Sequence, residues 1–285
     1  MKKLLLFGGL VISSLSFGQL NVGLIAQYDF SGDALDASGN NYHGTAIGGP
    51  TLVNDRDGNP LSAYSFDGVD DYIMVEGFST TQTNYSICAW VNSSDSTQLD
   101  KTIAMQVGIH PVSGDSIVSF GLLVSGSGFF AARHREFTAG TNIEAANGTL
   151  MTEDWQFAVQ TYDGDSLIWY LNGVNVASQL VNSSADKADQ FMIGAGRSQG
   201  QIGAYFFNGV IDDIRIYNRE LTNCEVEELY NGINPCNVGI EELTGGEKEL
   251  VKVVDLMGRE TTPQKNMVLI YVYSDGTTKR VFEFE

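Results

Sequence analysis

The stretch from Trp155 to Val176 limits the fold more than any other part of the chain. It runs Trp155, Gln156, Phe157, Ala158, Val159, Gln160, Thr161, Tyr162, meets Asp163 and Gly164, continues Leu167, Ile168, Trp169, Tyr170, Leu171, meets Asn172 and Gly173, and resumes Val174, Asn175, Val176. Trp155, Phe157 and Val159 recur at every second residue, the period of a strand that buries one face. Asp-Gly and Asn-Gly between apolar runs favour the positive φ of type I′ turns, so both positions predict hairpins and the three runs a meander. The pattern extends to further strands at Tyr72 to Val75, Ile103 to Val107, Ile117 to Val124, Phe129 to Arg133, Phe191 to Ile193 and Ile211 to Tyr217. Thirty-two glycines against five prolines fit many short strands joined by tight turns. One helix is marked beyond the last strand. Thr222 caps it, Glu225 completes a capping box, Leu221 and Val226 form a hydrophobic staple, and Gly232 ends it. The absence of crossover helices excludes a doubly wound α/β fold. The fold class is therefore all-β: a two-sheet antiparallel jelly-roll sandwich, then one short helix and a small C-terminal β domain.

Charge narrows the partners. Sixteen basic residues against 35 acidic ones give a formal net charge of −19. Nucleic acid and anionic lipid both demand a positive surface, so neither is expected as a partner.

The ends have a different character. Lys2 and Lys3 precede the apolar run Leu4 to Ile12, and Ser16, Phe17, Gly18 follow it ahead of Gln19. This is the layout of a secretory signal peptide over residues 1–18, too short for a membrane span. Export through the periplasm to the medium or the cell surface is the expected localisation. In such an oxidising setting Cys224 and Cys236 are expected to form a disulfide closing a short loop. Cys88, in the apolar run Tyr85 to Val91, reads as a small core residue.

Three motifs occur in order: Asp36, Ala37, Ser38, Gly39, Asn40, Asn41, Tyr42, His43, Gly44; Ser65, Phe66, Asp67, Gly68, Val69, Asp70, Asp71, Tyr72; and Asn208, Gly209, Val210, Ile211, Asp212, Asp213, Ile214, Arg215, Ile216, Tyr217. With Tyr28, Asp29, Phe30 opening the domain and the hairpin Trp169 to Gly173 between them, they resemble the laminin-G-like, concanavalin A-like jelly-roll family over residues 20–232. The resemblance implies two curved antiparallel sheets, often a bound calcium, and carbohydrate or protein ligands. It does not imply one activity. After a linker at 233–247, the segment 248–285 carries Lys252 to Glu260 and Leu269 to Val281, which resemble the C-terminal sorting domain of the type IX secretion system. That resemblance implies a small β-sandwich recognised by the export machinery at the outer membrane. Asp275 and Gly276 fall between two strand-like runs, as a hairpin requires.

No catalytic set emerges. The Glu-x-Asp-x-x-Glu strand of a retaining hydrolase is absent, and Glu153 with Asp154, as neighbours on a strand, would point to opposite faces. The histidines, His43, His110 and His134, lack the spacing of lyase chemistry and read as surface or loop residues. The chain is accordingly read as a non-enzyme. Calcium is the better-supported chemistry, because hard cations take several oxygen ligands from acids on turns. Asp29, Asp33, Asp36 and Asn40 lie within twelve residues, and the alternation around Ile211, Ile214 and Ile216 predicts a bulge that re-aims Asp212 or Asp213. One of these two is expected to join the N-terminal acids around a structural calcium. The alternative is that all of them cap turns. Asp55 to Asn59 lacks the distal glutamate of a calcium loop and reads as a plain turn. The functional expectation is a non-catalytic protein that binds an extracellular glycan or matrix through a calcium-stabilised jelly roll. The alternatives are a structural or adhesive protein that contacts other surface proteins, and, third, a polysaccharide-degrading enzyme.

Overall fold

In a computed structural model of the chain, the described residues are 20–79, 83–93, 100–109, 116–125, 128, 130–136, 139–144, 152–181, 185, 188–198, 201–233, 235, 250–255, 258–262, 268–274 and 278–282. The signal segment, His110, Cys236, the linker from 236 onward and the Asp275-Gly276 turn lie outside them. The strands follow in order as β1 (Leu24–Tyr28), β2 (Thr45–Ile47), β3 (Thr51–Val53), β4 (Ala63–Asp67), β5 (Tyr72–Glu76), β6 (Tyr85–Ser93) and β7 (Lys101–Ile109). Next come β8 (Ser116–Val124), β9 (Phe130–Glu136), β10 (Ala139–Glu144), β11 (Gln156–Tyr162), β12 (Ser166–Leu171) and β13 (Val174–Leu180). β14 (Gln190–Ile193), β15 (Gly196–Ser198), β16 (Gln201–Ala204) and β17 (Asn208–Tyr217) lead to the helix α1 (Asn223–Asn231). β18 (Leu250–Val254), β19 (Val268–Tyr273) and β20 (Thr278–Phe282) complete the chain.

Two compact units result, Met1–Cys236 and Asn237–Glu285. The first is the expected sandwich. One sheet has the order β13-β12-β11-β6-β17-β4-β3 with β1 also paired to β17, and the other the order β10-β9-β8-β7-β14-β5-β2. The second unit contains the three-stranded antiparallel sheet β18-β19-β20.

The predicted hairpins form, with one difference in turn type. Asn172 and Gly173 have φ of 50° and 80°, the two positive values of a type I′ turn. Asp163 and Gly164 instead belong to a three-residue loop, because the Asp163 carboxylate accepts the amides of Asp165 and Ser166 and draws one more residue into the turn.

The core between the sheets is aromatic. Tyr85 on β6 stacks on Phe120 of the facing sheet at 4.0 Å between centroids, and its hydroxyl is hydrogen-bonded to Nδ1 of His134 on β9. The Gln160 side-chain amide donates to the same hydroxyl and to the Arg133 carbonyl. His134 is thus a core residue, not the surface or loop residue expected, since strand alternation turns it inward. All seven residues of β11 are buried, so its two faces serve different layers. Ala158 and Tyr162 face the other sheet, whereas Phe157 and Val159 pack under α1 with Trp90, Leu221 and Val226. The helix has the predicted N-cap and capping box, and Gly232 closes it at φ 74°.

Candidate functional site

The outer face of the seven-stranded sheet has its own apolar layer. Register places Met74, Met192, Met105, Gly121 and Arg133 directly opposite one another across β5, β14, β7, β8 and β9. A parallel row holds Thr102, Leu123 and Ala131. Flanking residues such as Ile73, Phe191, Ala104 and Leu122 point the other way into the main core. Within the first row Gly121 contributes no side chain, and a Cβ there would lie 2.4 Å from the Ala104 carbonyl oxygen. The close approach of β7 requires glycine at this point.

This face carries a cavity of about 180 Å³ lined by Asp100, Lys101, Thr102, Met105, Leu123, Arg133 and Tyr205. It is smaller than the roughly 300–1,000 Å³ of pockets that enclose drug-sized ligands, so it suits a group the size of a single ring. Tyr205 is 44% exposed and is held in the left-handed region at φ 56°, with its carbonyl accepting the Thr102 amide and its hydroxyl donating to Ser198. Asp100 is also left-handed, at φ 51°. Such conformations cost side chains of this kind on the order of 1–3 kcal/mol each and concentrate at ligand sites. The hairpin β15-β16, which precedes Tyr205, lies against β7 and β8. The sequence marked none of these residues, because a row across five strands exists only once register is known.

The acids expected to hold calcium are distributed as follows. The Asp36 carboxylate accepts hydrogen bonds from the amides of Gln27, Ser38 and Tyr42 and from the Ser38 hydroxyl. Burial opposes its ionisation, but these donors outweigh burial and hold the carboxyl below its ordinary value. Asp33 accepts the Leu35 amide, and the Asn40 side-chain amide donates to the carbonyls of Leu24 and Ile25. β1 does pair with β17, and the bulge falls between Asp212 and Arg215, with Asp213 at φ 45°. Asp29 therefore follows Tyr28 just as Asp213 precedes its partner Ile214. Asp212 and Asp213, however, both pair with the Arg56 guanidinium, at 3.1 and 2.7 Å. Arg56 rises from the Asp55 to Asn59 turn, which Asp55 closes by accepting the amides of Asp57 and Asn59, and stacks over Trp90 at 4.6 Å. Burial and the adjacent Asp213 carboxylate push Asp212 up to about 7 against the pull of Arg56. Among the described residues, the acids whose ligand atoms lie within 4.8 Å of one another are Asp67, Asp70 and Asp71. Two of the three accept local hydrogen bonds: Asp67 accepts the Val69 and Asp70 amides, and Asp71 accepts the Asp67 amide.

Of the cysteines, Cys88 is buried and free, with burial pushing its thiol up to about 12, as a core role requires. Cys224 is disulfide-bonded, and Cys236 lies outside the described residues.

Comparison with protein families matches residues 67–227, more than half of the chain, to the laminin-G type of the concanavalin A-like lectin/glucanases superfamily. The chain belongs to this superfamily. Solved structures share the superfamily fold at low identity. The binding domain of Paraclostridial Mosquitocidal Protein 1 superposes with a TM-score of 0.58 at 17% identity, covering 75% of this chain and 53% of its own. Domain 4 of AbnA, an extracellular arabinanase from Geobacillus stearothermophilus, in complex with arabinotriose, has a TM-score of 0.56 at 20% identity, with 73% and 98% covered. The ligand-binding domain of botulinum neurotoxin serotype D in complex with N-acetylneuraminic acid has a TM-score of 0.56 at 18% identity, with 89% and 62% covered. The chain thus spans about half the length of the first of these structures. No curated protein matches the sequence. The first and third of these structures are binding domains by name, and the second is a domain of an arabinanase with a bound arabinotriose.

Proposed function

We propose that the protein is a non-catalytic binding module of the cell exterior that recognises carbohydrate at the outer face of the seven-stranded sheet. The observation that carries this reading is the cavity on that face, sized for a single ring and walled by the exposed, left-handed Tyr205. An exposed aromatic ring gives a sugar an apolar face to stack on, and Asp100 and Thr102 supply polar atoms around it. Neighbours of the same fold bound to arabinotriose and N-acetylneuraminic acid support a saccharide as the ligand class. The proposal includes a structural calcium held by Asp29 with Asp213 or by the other acids at that end of β1 and β17. Their juxtaposition across the β1–β17 pair supports it, although the ion would have to draw Asp213 away from Arg56. It also includes export directed by residues 1–18, sorting by 248–285, and closure of a loop by Cys224 with Cys236.

A glycan array probed with the wild-type protein and with Tyr205→Ala, each with and without chelator, tests the reading. Signal that falls at least tenfold in the variant supports it, loss on chelation supports the calcium, and absence of any glycan signal at high protein concentration overturns it.

A second reading, contact with another protein, is favoured by β13. This edge strand exposes Val174 and Leu180, and no charged residue occurs from Ser166 to Ala185. An uncharged, exposed edge is a template for an added strand. Concentration-dependent association that Ser178→Lys abolishes would support it.

A further inference from the structure

We infer that the cavity on the outer face of the seven-stranded sheet takes an N-acetylated amino sugar and receives its acetamido group. This rests on the carbohydrate reading above and names the ligand class of that same site. The cavity lining divides by depth. Met105 and Leu123 are 2% and 6% exposed and form its floor, whereas Asp100 and Tyr205 stand exposed at its rim. Both floor side chains belong to the apolar layer of this face, together with Met74, Met192 and Ala131. A sugar that carries only hydroxyls would press one of them against this floor without a partner, which costs free energy. The group that reaches the floor must therefore end in carbon.

A second, independent observation says what lies beside that carbon. Thr102 also lines the cavity and is 3% exposed, and among the described residues none forms a hydrogen bond with its hydroxyl. Register pairs it with Leu123, so the two side chains share a face. Gly196 on β15 leaves room for the hydroxyl, since a Cβ there would lie 2.7 Å from Thr102 Oγ1. Buried polar side chains are nearly always paired, so a hydroxyl left over in a cavity lining marks where a ligand atom completes it. The site thus offers one donor next to two apolar side chains. An acetamido group matches both parts: its carbonyl accepts from Thr102 Oγ1 while its methyl packs on Met105 and Leu123. The bare methyl of a deoxy sugar fills the apolar part but leaves Thr102 unpaired, and a free amine would bury a charge against the floor. The sugar ring then lies nearer the rim, where Tyr205 offers a face to stack on.

Isothermal titration of the full chain with two matched pairs of sugars tests the inference. One pair is the β-linked trimers of glucose and of N-acetylglucosamine, and the other the methyl glycosides of galactose and of N-acetylgalactosamine. In at least one pair the N-acetylated member is expected to bind roughly tenfold more tightly, the worth of one hydrogen bond and one buried methyl. Thr102→Val keeps the shape of the side chain and removes the hydroxyl, so it should cut that preference about fivefold, whereas Thr102→Ser should keep most of it. The trimer of unacetylated glucosamine should bind no better than the glucose trimer. Equal affinity within both pairs, a preference that Thr102→Val leaves intact, or a glucosamine trimer as tight as its acetylated form overturns the acetamido assignment. The carbohydrate reading survives that result if the array still gives glycan signal. With no signal from any glycan, both fall. Should Thr102→Val fail to fold, the matched pairs and the glucosamine trimer decide alone.

Discussion

Asp36 and Asp212 are both buried acids, and their surroundings drive them in opposite directions. Asp36 organises the segment between β1 and β2 through four accepted hydrogen bonds. Asp36→Ala leaves these donors without their acceptor and should cost roughly 2–3 kcal/mol in urea unfolding. Its carboxyl is held below the ordinary value, so its stabilisation is present above about pH 4 and lost as pH falls through its folded value. Asp212 has the reverse sign. Its carboxyl titrates near 3.8 in the unfolded chain and about 7 in the fold, so between these pH values the folded state holds the extra proton. Its contribution to stability therefore falls as pH rises from about 4 to about 7. In thermal melts across this window, Asp212→Asn should gain on the parent steadily and then level off above pH 7. Parallel curves would contradict the shift.

At the scale of elements, agreement between sequence and structure follows the range of the interaction that sets each feature. The capping box of α1 involves residues three apart, and both of its hydrogen bonds form as the sequence predicts. Thr222→Ala should therefore cost about 1 kcal/mol, measured by urea unfolding. The bulge at Asp212 and Asp213 was legible for the same reason, as a break in a two-residue period. The Arg56 pairing was not legible, because it joins residues 156 apart in sequence. His134 and β11 teach a related lesson. Alternation identifies two faces of a strand but not what covers each, and here the second face is covered by α1 instead of water. The cavity is the extreme case: Met105, Leu123, Arg133 and Tyr205 come from three strands and a turn, with no local pattern shared among them.

The whole molecule is strongly acidic. With a net charge of −19, self-repulsion weakens the fold at low ionic strength. Raising sodium chloride from about 0.01 to about 0.15 M shortens the screening length from roughly 30 to 8 Å and should raise Tm. Calcium at matched ionic strength should raise Tm further, since a bound ion adds linkage beyond screening, and chelator should reverse that part. A rise fully reproduced by sodium would count against the calcium. The central claim, however, is the place where ligand binds. Hydrogen–deuterium exchange of the full chain, with and without a saturating glycan taken from the array, tests it most directly. Protection is expected in β7 from Lys101 to Met105, in β8 from Gly121 to Leu123, and at Tyr205. Protection confined to the edge strand β13 or to the Asp29 to Asn40 segment, with β7 and β8 unchanged, would contradict the account.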